Sequence, residues 1–105
     1  MIRPEIVILT YRPDKEALKE LLAGIEEEGV LYKVAFETID ESENDLGYKA
    51  ARVSQIETGI GLYEKNAALY IQRIPEKPLL ITYQSHRILG QNAARYVKGN
   101  PLIEI

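Results

Sequence analysis

Glu5-Ile6-Val7-Ile8-Leu9-Thr10 is a short, nearly continuous apolar run, and its reading decides the fold. A half-exposed strand would alternate polar and apolar residues. This run has no polar face, so it reads as a strand covered on both sides, as in a parallel sheet flanked by helices. Pro13-Asp14 ends it, and Asp14 suits the N-cap of a helix. Leu18, Leu21, Leu22 and Ile25 then recur at helical spacing, with Lys15, Glu16, Lys19 and Glu20 facing out. Gly29 marks the stop, a residue free to take the left-handed conformation just past a helix end. Val30 to Glu37 alternates, with Val30, Tyr32, Val34 and Phe36 on one face of a half-buried strand. Strand, helix, strand in this order is a βαβ unit.

The rest of the chain extends that unit. Asp40 to Asp45 is an acidic loop in which Ser42 and Asp45 resemble a capping box. It opens a short helix, weakened by Gly47, with Leu46, Ala50 and Val53 inward. Gly59-Ile60-Gly61-Leu62-Tyr63 is a Gly-rich segment that brings the backbone close to a ligand or to a neighbouring strand. It matches neither the Walker phosphate loop nor the dinucleotide fingerprint. Glu64-Lys65-Asn66 reads as a turn, and Ala67–Gln72 as a strand or the end of a short helix. Pro75 and Pro78 bracket a tight connection to Leu79–Tyr83, a second buried strand. The last helix is predicted over Gly90–Gly99, with Ala93, Ala94 and Val97 as its inner face and Pro101 forbidding continuation. Leu102–Ile105 adds an edge strand or docks loosely. The pattern predicts one α/β domain over residues 1–105, three layers deep, with a mostly parallel sheet flanked by helices.

Composition narrows the function classes. A chain of 105 residues that is 46% hydrophobic buries a core without staples. With no cysteine there is no disulfide framework and no thiol nucleophile, which fits the cytoplasm. No apolar run approaches the roughly 20 residues of a membrane span, and the chain enters a strand pattern with no separate signal-peptide segment. The net charge of −3 divides unevenly: residues 1–57 carry 7 basic and 13 acidic side chains (−6), and residues 58–105 carry 6 and 3 (+3). Oppositely charged regions point to a protein partner or to self-association. No dense Lys/Arg stripe marks a nucleic-acid surface.

One local feature stands out. In Gly24-Ile25-Glu26-Glu27-Glu28-Gly29, three carboxylates occupy the last turn of the first helix. The exposed carbonyls there carry partial negative charge, so each carboxylate is disfavoured by roughly 0.3–1 kcal/mol. Such a run calls for a cation, a basic partner or full solvation. Read alone it is a solvated acidic face; read as a site it is a docking or metal-bridging point. Gly24, inside the helix, is either a tolerated weak spot or the mark of a close backbone approach.

No self-contained active site is legible. The single histidine, His86, precedes the last helix and reads as a cap or surface residue. Ser54 and Ser85 have no base partnered to them. The acidic loop lacks calcium-loop spacing. Seven tyrosines read mostly as half-buried, with a subset available to an interface. No catalytic residue is expected.

Two segments carry a resemblance. Gly24-Ile25-Glu26-Glu27-Glu28-Gly29-Val30 and Asn92-Ala93-Ala94-Arg95-Tyr96-Val97-Lys98-Gly99-Asn100-Pro101 are similar to the GIEEEG and NAAR-x-VKG segments of the small subunit of glycerol/diol dehydratase reactivases, in the same order. Ala50-Ala51-Arg52, Gly59-Ile60-Gly61 and Pro75 with Pro78-Leu79 fall in corresponding places. The resemblance implies a fold similar to the medium subunit of the coenzyme-B12-dependent diol dehydratase. It implies a non-catalytic chaperone subunit that pairs with a large, actin-like ATPase subunit holding ATP or ADP. Together they release damaged cobalamin from the dehydratase, the small subunit exchanging with the dehydratase medium subunit. It also implies that Glu27 helps hold Mg²⁺ against aspartates of the large subunit, within an interface of Gly24, Glu26, Glu27 and Glu28. This chain binds no cofactor alone, and it is expected in the cytoplasm, with a bacterial microcompartment as a further setting.

Two other readings stand beside this one, the first still implied by the resemblance. One is a stand-alone medium-subunit-like protein that touches cobalamin through Gly59–Tyr63 and Gly90–Asn92, where α/β sheets usually place ligands. The other is a small-molecule binder that self-associates through its charge asymmetry.

Overall fold

The computed structural model describes residues 3–105. Strand β1 (Glu5–Tyr11) is its centre, paired on one side with β2 (Leu31–Phe36) and on the other with β3 (Thr58–Tyr63), both parallel. Strand β4 (Asn66–Ile71) returns antiparallel to β3, and β5 (Leu80–Thr82) antiparallel to β4. The order is β2-β1-β3-β4-β5, and only β4 runs against the other four.

The period-2 geometry of β1 sends alternate side chains into two separate cores, which is why its sequence has no polar face. Ile6 and Ile8 join the larger core with α1 (Lys15–Glu27) and α3 (His86–Lys98). Val7 and Leu9 face α2 (Glu43–Val53) with Leu46 and Ala50. Two helices on one side of the sheet and one on the other make the three layers. The one hydroxyl fully buried in β1, Thr10, donates to the Leu62 carbonyl at 2.8 Å.

Helix ends follow the local chemistry. Asp14 accepts from the Ala17 amide at 3.0 Å and Ser42 from the Asp45 amide at 3.1 Å. Gly29 and Gly99 both close their helices at φ 75°, a conformation open to glycine at little cost. The β3–β4 hairpin turns through Glu64-Lys65, with Glu64 at φ 53°.

The structure corrects several expectations. Helix α3 begins at His86, a full turn before Gly90, because Ser85 rather than a glycine stands at its N-cap. Leu79–Tyr83 is no buried strand: β5 has three residues and lies at the sheet edge, with Ile81 and Tyr83 exposed. Val53, on the last turn of α2, is exposed, as is Phe36 at the end of edge strand β2. The Ala67–Gln72 segment resolves as strand β4, ending at Ile71. The C-terminal Leu102–Ile105 forms no strand. It docks through Asn92, whose buried amide donates to the Ile103 carbonyl (2.7 Å) and accepts the Ile103 amide (2.6 Å).

Candidate functional site

Helices α1 and α3 pack with their backbones in contact. A Cβ built on Gly24 would overlap the Arg87 carbonyl, and one on Gly90 would overlap the Leu21 carbonyl. Gly24 is therefore a close-approach residue, and Gly90 is its counterpart across the crossing.

That closeness determines what surrounds the acidic helix end. Arg87, Gln91, Arg95 and Lys98 recur along one side of α3 and meet the glutamates of α1 in turn. Arg87 bonds Glu20 at 3.0 Å and Glu27 at 3.3 Å. Gln91 donates to the other oxygen of Glu27 at 3.0 Å. Arg95 and Lys98 each lie 3.1 Å from Glu28, and Lys98 also reaches the Glu28 carbonyl at 2.7 Å. Glu26 accepts from the Tyr32 hydroxyl at 2.7 Å, which raises the pKa of that phenol. The cation that the helix end demands is thus supplied by α3 of the same chain.

The three glutamates are not equivalent. The Glu28 side chain is 14% exposed and held by two cations; the hydrogen bond from Lys98 is the largest influence, and with Arg95 it outweighs the opposing effect of burial and keeps the carboxyl below the usual range. Glu28 closes the α1–α3 joint. Glu27 is 46% exposed and held by one long guanidinium contact and a neutral amide. Glu26 and Glu27 are both exposed, Glu26 held by one neutral hydroxyl and Glu27 by Arg87 and Gln91. Arg87 keeps Glu20 as a partner if Glu27 is drawn away.

A hard cation such as Mg²⁺ takes oxygen ligands and retains several waters. Among the described residues, no group of three or more His, Cys, Asp or Glu side chains is gathered to hold a metal ion. Glu27 alone would give such an ion one carboxylate, and Arg87 lies 3.3 Å from it.

The other candidates resolve as structure. His86 is buried and its Nε2 lies 2.8 Å from the Lys65 carbonyl, bracing the hairpin turn against α3. Ser54 bonds the Glu5 carbonyl at 2.8 Å, and Ser85 donates its amide to Thr82 Oγ1 at 2.8 Å. Among the described residues neither serine hydroxyl is hydrogen-bonded to His86. Gly59 and Gly61 do not face a ligand. Cβ atoms there would overlap α2 at Ala50, Ala51, Glu43 and Gly47, so these glycines let α2 lie directly on the sheet. Of the tyrosines, Tyr83 is the most exposed, while Tyr70 is buried edge-on to Tyr48. The basic stripe of α3 and the buried Asn92 escaped the sequence reading. The 87, 91, 95, 98 spacing was the available signal, and the late placement of the helix start concealed it.

Comparison with known proteins places this geometry. The family model for the dehydratase medium subunit matches residues 3–103. The chain is 33% identical over 93 residues to the diol dehydratase-reactivating factor small subunit of Klebsiella michiganensis, covering 83% of this chain and 74% of that one. It is 31% identical over 108 residues to the propanediol dehydratase-reactivating factor small subunit of Salmonella typhimurium, covering 97% and 92%. Among solved structures it matches one of a diol dehydratase-reactivating factor complexed with ADP and Mg²⁺, at TM-score 0.86 and 30% identity over 97% of this chain and 99% of that chain. A glycerol dehydratase reactivase matches at TM-score 0.86 and 33% identity over 96% and 98%.

Proposed function

The chain belongs to the dehydratase medium-subunit family, and we propose that it is the small subunit of a reactivase for a coenzyme-B12-dependent diol or glycerol dehydratase. The observation that carries this reading is whole-chain likeness, in fold and sequence, to small subunits of reactivating factors. In this role the chain does no chemistry. It docks to a large ATPase subunit and exchanges with the medium subunit of the dehydratase, so that damaged cobalamin leaves and intact coenzyme rebinds.

Docking runs through the exposed end of α1. Glu27 presents its carboxylate, Glu28 and the α3 cations hold the helix end rigid behind it, and Gly24 sets the helix spacing. A bound Mg²⁺ would bridge Glu27 to carboxylates of the large subunit and offset the negative potential at the helix terminus. Arg87, which also contacts Glu20, would keep that partner if Glu27 held the ion.

For the cobalamin-contact alternative through Gly59–Tyr63 and Gly90–Asn92, Gly59 and Gly61 pack on α2, Gly90 on Leu21 and Asn92 on Ile103, while Tyr63 and Gln91 are partly exposed. Size-exclusion chromatography with light scattering, on the chain mixed with the large reactivase-like subunit of the same genome, tests the proposal. A mixed complex in Mg²⁺ that weakens in EDTA supports it. Absence of any complex contradicts it.

A further inference from the structure

Strand β2 is an open edge. Its partner β1 lies on one side, and among the described residues no strand pairs with the other. The Glu37 amide donates to the Thr10 carbonyl, and Thr10 is registered with Phe36. In a parallel ladder this places the backbone groups of residues 31, 33, 35 and 37 toward β1, and those of Tyr32, Val34 and Phe36 outward. Three N–H and three C=O groups therefore face away from the sheet. The strand has no proline, and exposed Leu31, Phe36 and Ile39 flank its ends. The opposite edge, β5, is only three residues long.

We infer that β2 is a homodimerisation edge, pairing antiparallel with β2 of a second copy about a two-fold axis through Val34. This goes beyond the docking role and does not depend on it. The argument is self-complementarity. Opposite residues exchange both hydrogen bonds in an antiparallel pair, so Val34 meets Val34 of the second copy and Tyr32 meets its Phe36. All the outward-facing groups of residues 32, 34 and 36 are satisfied in that one register. Phe36, 63% exposed in the monomer, is covered by the second copy's Tyr32. An isologous contact of this kind closes at two copies.

Charge agrees with the register. On the other face, Lys33 and Glu37 of each copy form a row in the order Glu, Lys, Lys, Glu. Two Lys–Glu diagonals outweigh one Lys–Lys diagonal, and long side chains reach across such diagonals. Lys33 discourages other registers that lack the flanking Glu37.

Light scattering on the isolated chain across a dilution series reads the mass against 11.9 kDa for one copy. The expected result is a reversible dimer, abolished by Phe36→Lys with the melting temperature retained. Lys33→Glu, which makes the row four carboxylates, weakens it at least ten-fold. The double swap Lys33→Glu with Glu37→Lys restores it. Hydrogen exchange followed against protein concentration expects rising protection at the Tyr32, Val34 and Phe36 amides, while Lys33 and Ala35 stay unchanged. A chain monomeric throughout, or a dimer indifferent to Phe36→Lys and Lys33→Glu, overturns the inference.

Discussion

At the scale of single residues, three consecutive glutamates do three different things because each meets a different neighbour. Glu28 is the structural one. Its pKa is lowered in the folded protein, chiefly by the Lys98 hydrogen bond and then by Arg95. A depressed carboxylate contributes stability that is present above its unfolded pKa, about 4.3, and is lost as pH falls through the lower folded value. Glu28→Gln should therefore lower the melting temperature at neutral pH, and the gap from wild type should close in acid, as thermal melts over pH 2–7 would read. A constant gap at every pH would assign the effect to packing instead. Arg87 makes the complementary case. Among the described residues it is the cation on Glu27, and it would compete with any divalent ion there. Arg87→Gln should lower the Mg²⁺ concentration needed for half-maximal assembly with the large subunit, a shift measurable by titration. The Glu run was visible in sequence as an electrostatic anomaly, but which glutamate was free was not. That distinction rests on pairing across 67 to 70 residues, which no local pattern carries.

At the scale of elements, the α1–α3 crossing organises the site. Ordinary helix propensity favours Gly24→Ala by about 1 kcal/mol. Here the added methyl meets the Arg87 carbonyl, a backbone atom that no rotamer change can move aside. Overpacking of this kind costs about 1–3 kcal/mol, so Gly24→Ala should be net destabilising in chemical denaturation, and Gly90→Ala likewise. Stabilisation by either would mean that the helices stand further apart. Sequence reading located α1 well because its stripe, its Asp14 cap and its Gly29 stop all agree. The start of α3 is hidden because Ser85 makes no side-chain cap and Gly90 reads as punctuation. Strand β5 reads as buried because an apolar run at a sheet edge looks the same as one at the centre until the strand order is known. Gly59 and Gly61 were legible as close-approach residues, but the neighbour is helix α2.

At the scale of the whole molecule, the uneven charge of the sequence is resolved internally. The acidic first half and the basic second half meet at the α1–α3 seam, where Glu20, Glu27 and Glu28 neutralise Arg87, Arg95 and Lys98. The asymmetry that suggests a partner is thus partly spent within the fold, while Glu26 and Glu27 stay exposed at the helix end. The fold itself, a three-layer α/β domain, was legible from β1 and the βαβ unit that follows it. The antiparallel return of β4 was not, since a two-residue turn without glycine gives little signal. We propose Glu27 as the docking carboxylate, acting through Mg²⁺. The measurement that tests it most directly is affinity for the large subunit in an Mg²⁺ titration, with wild type beside Glu27→Ala. Binding is expected to be at least about five-fold weaker for the variant, 1 kcal/mol or more, the difference disappearing in EDTA while thermal stability is unchanged or raised. Equal affinity of the two proteins across the titration would contradict it.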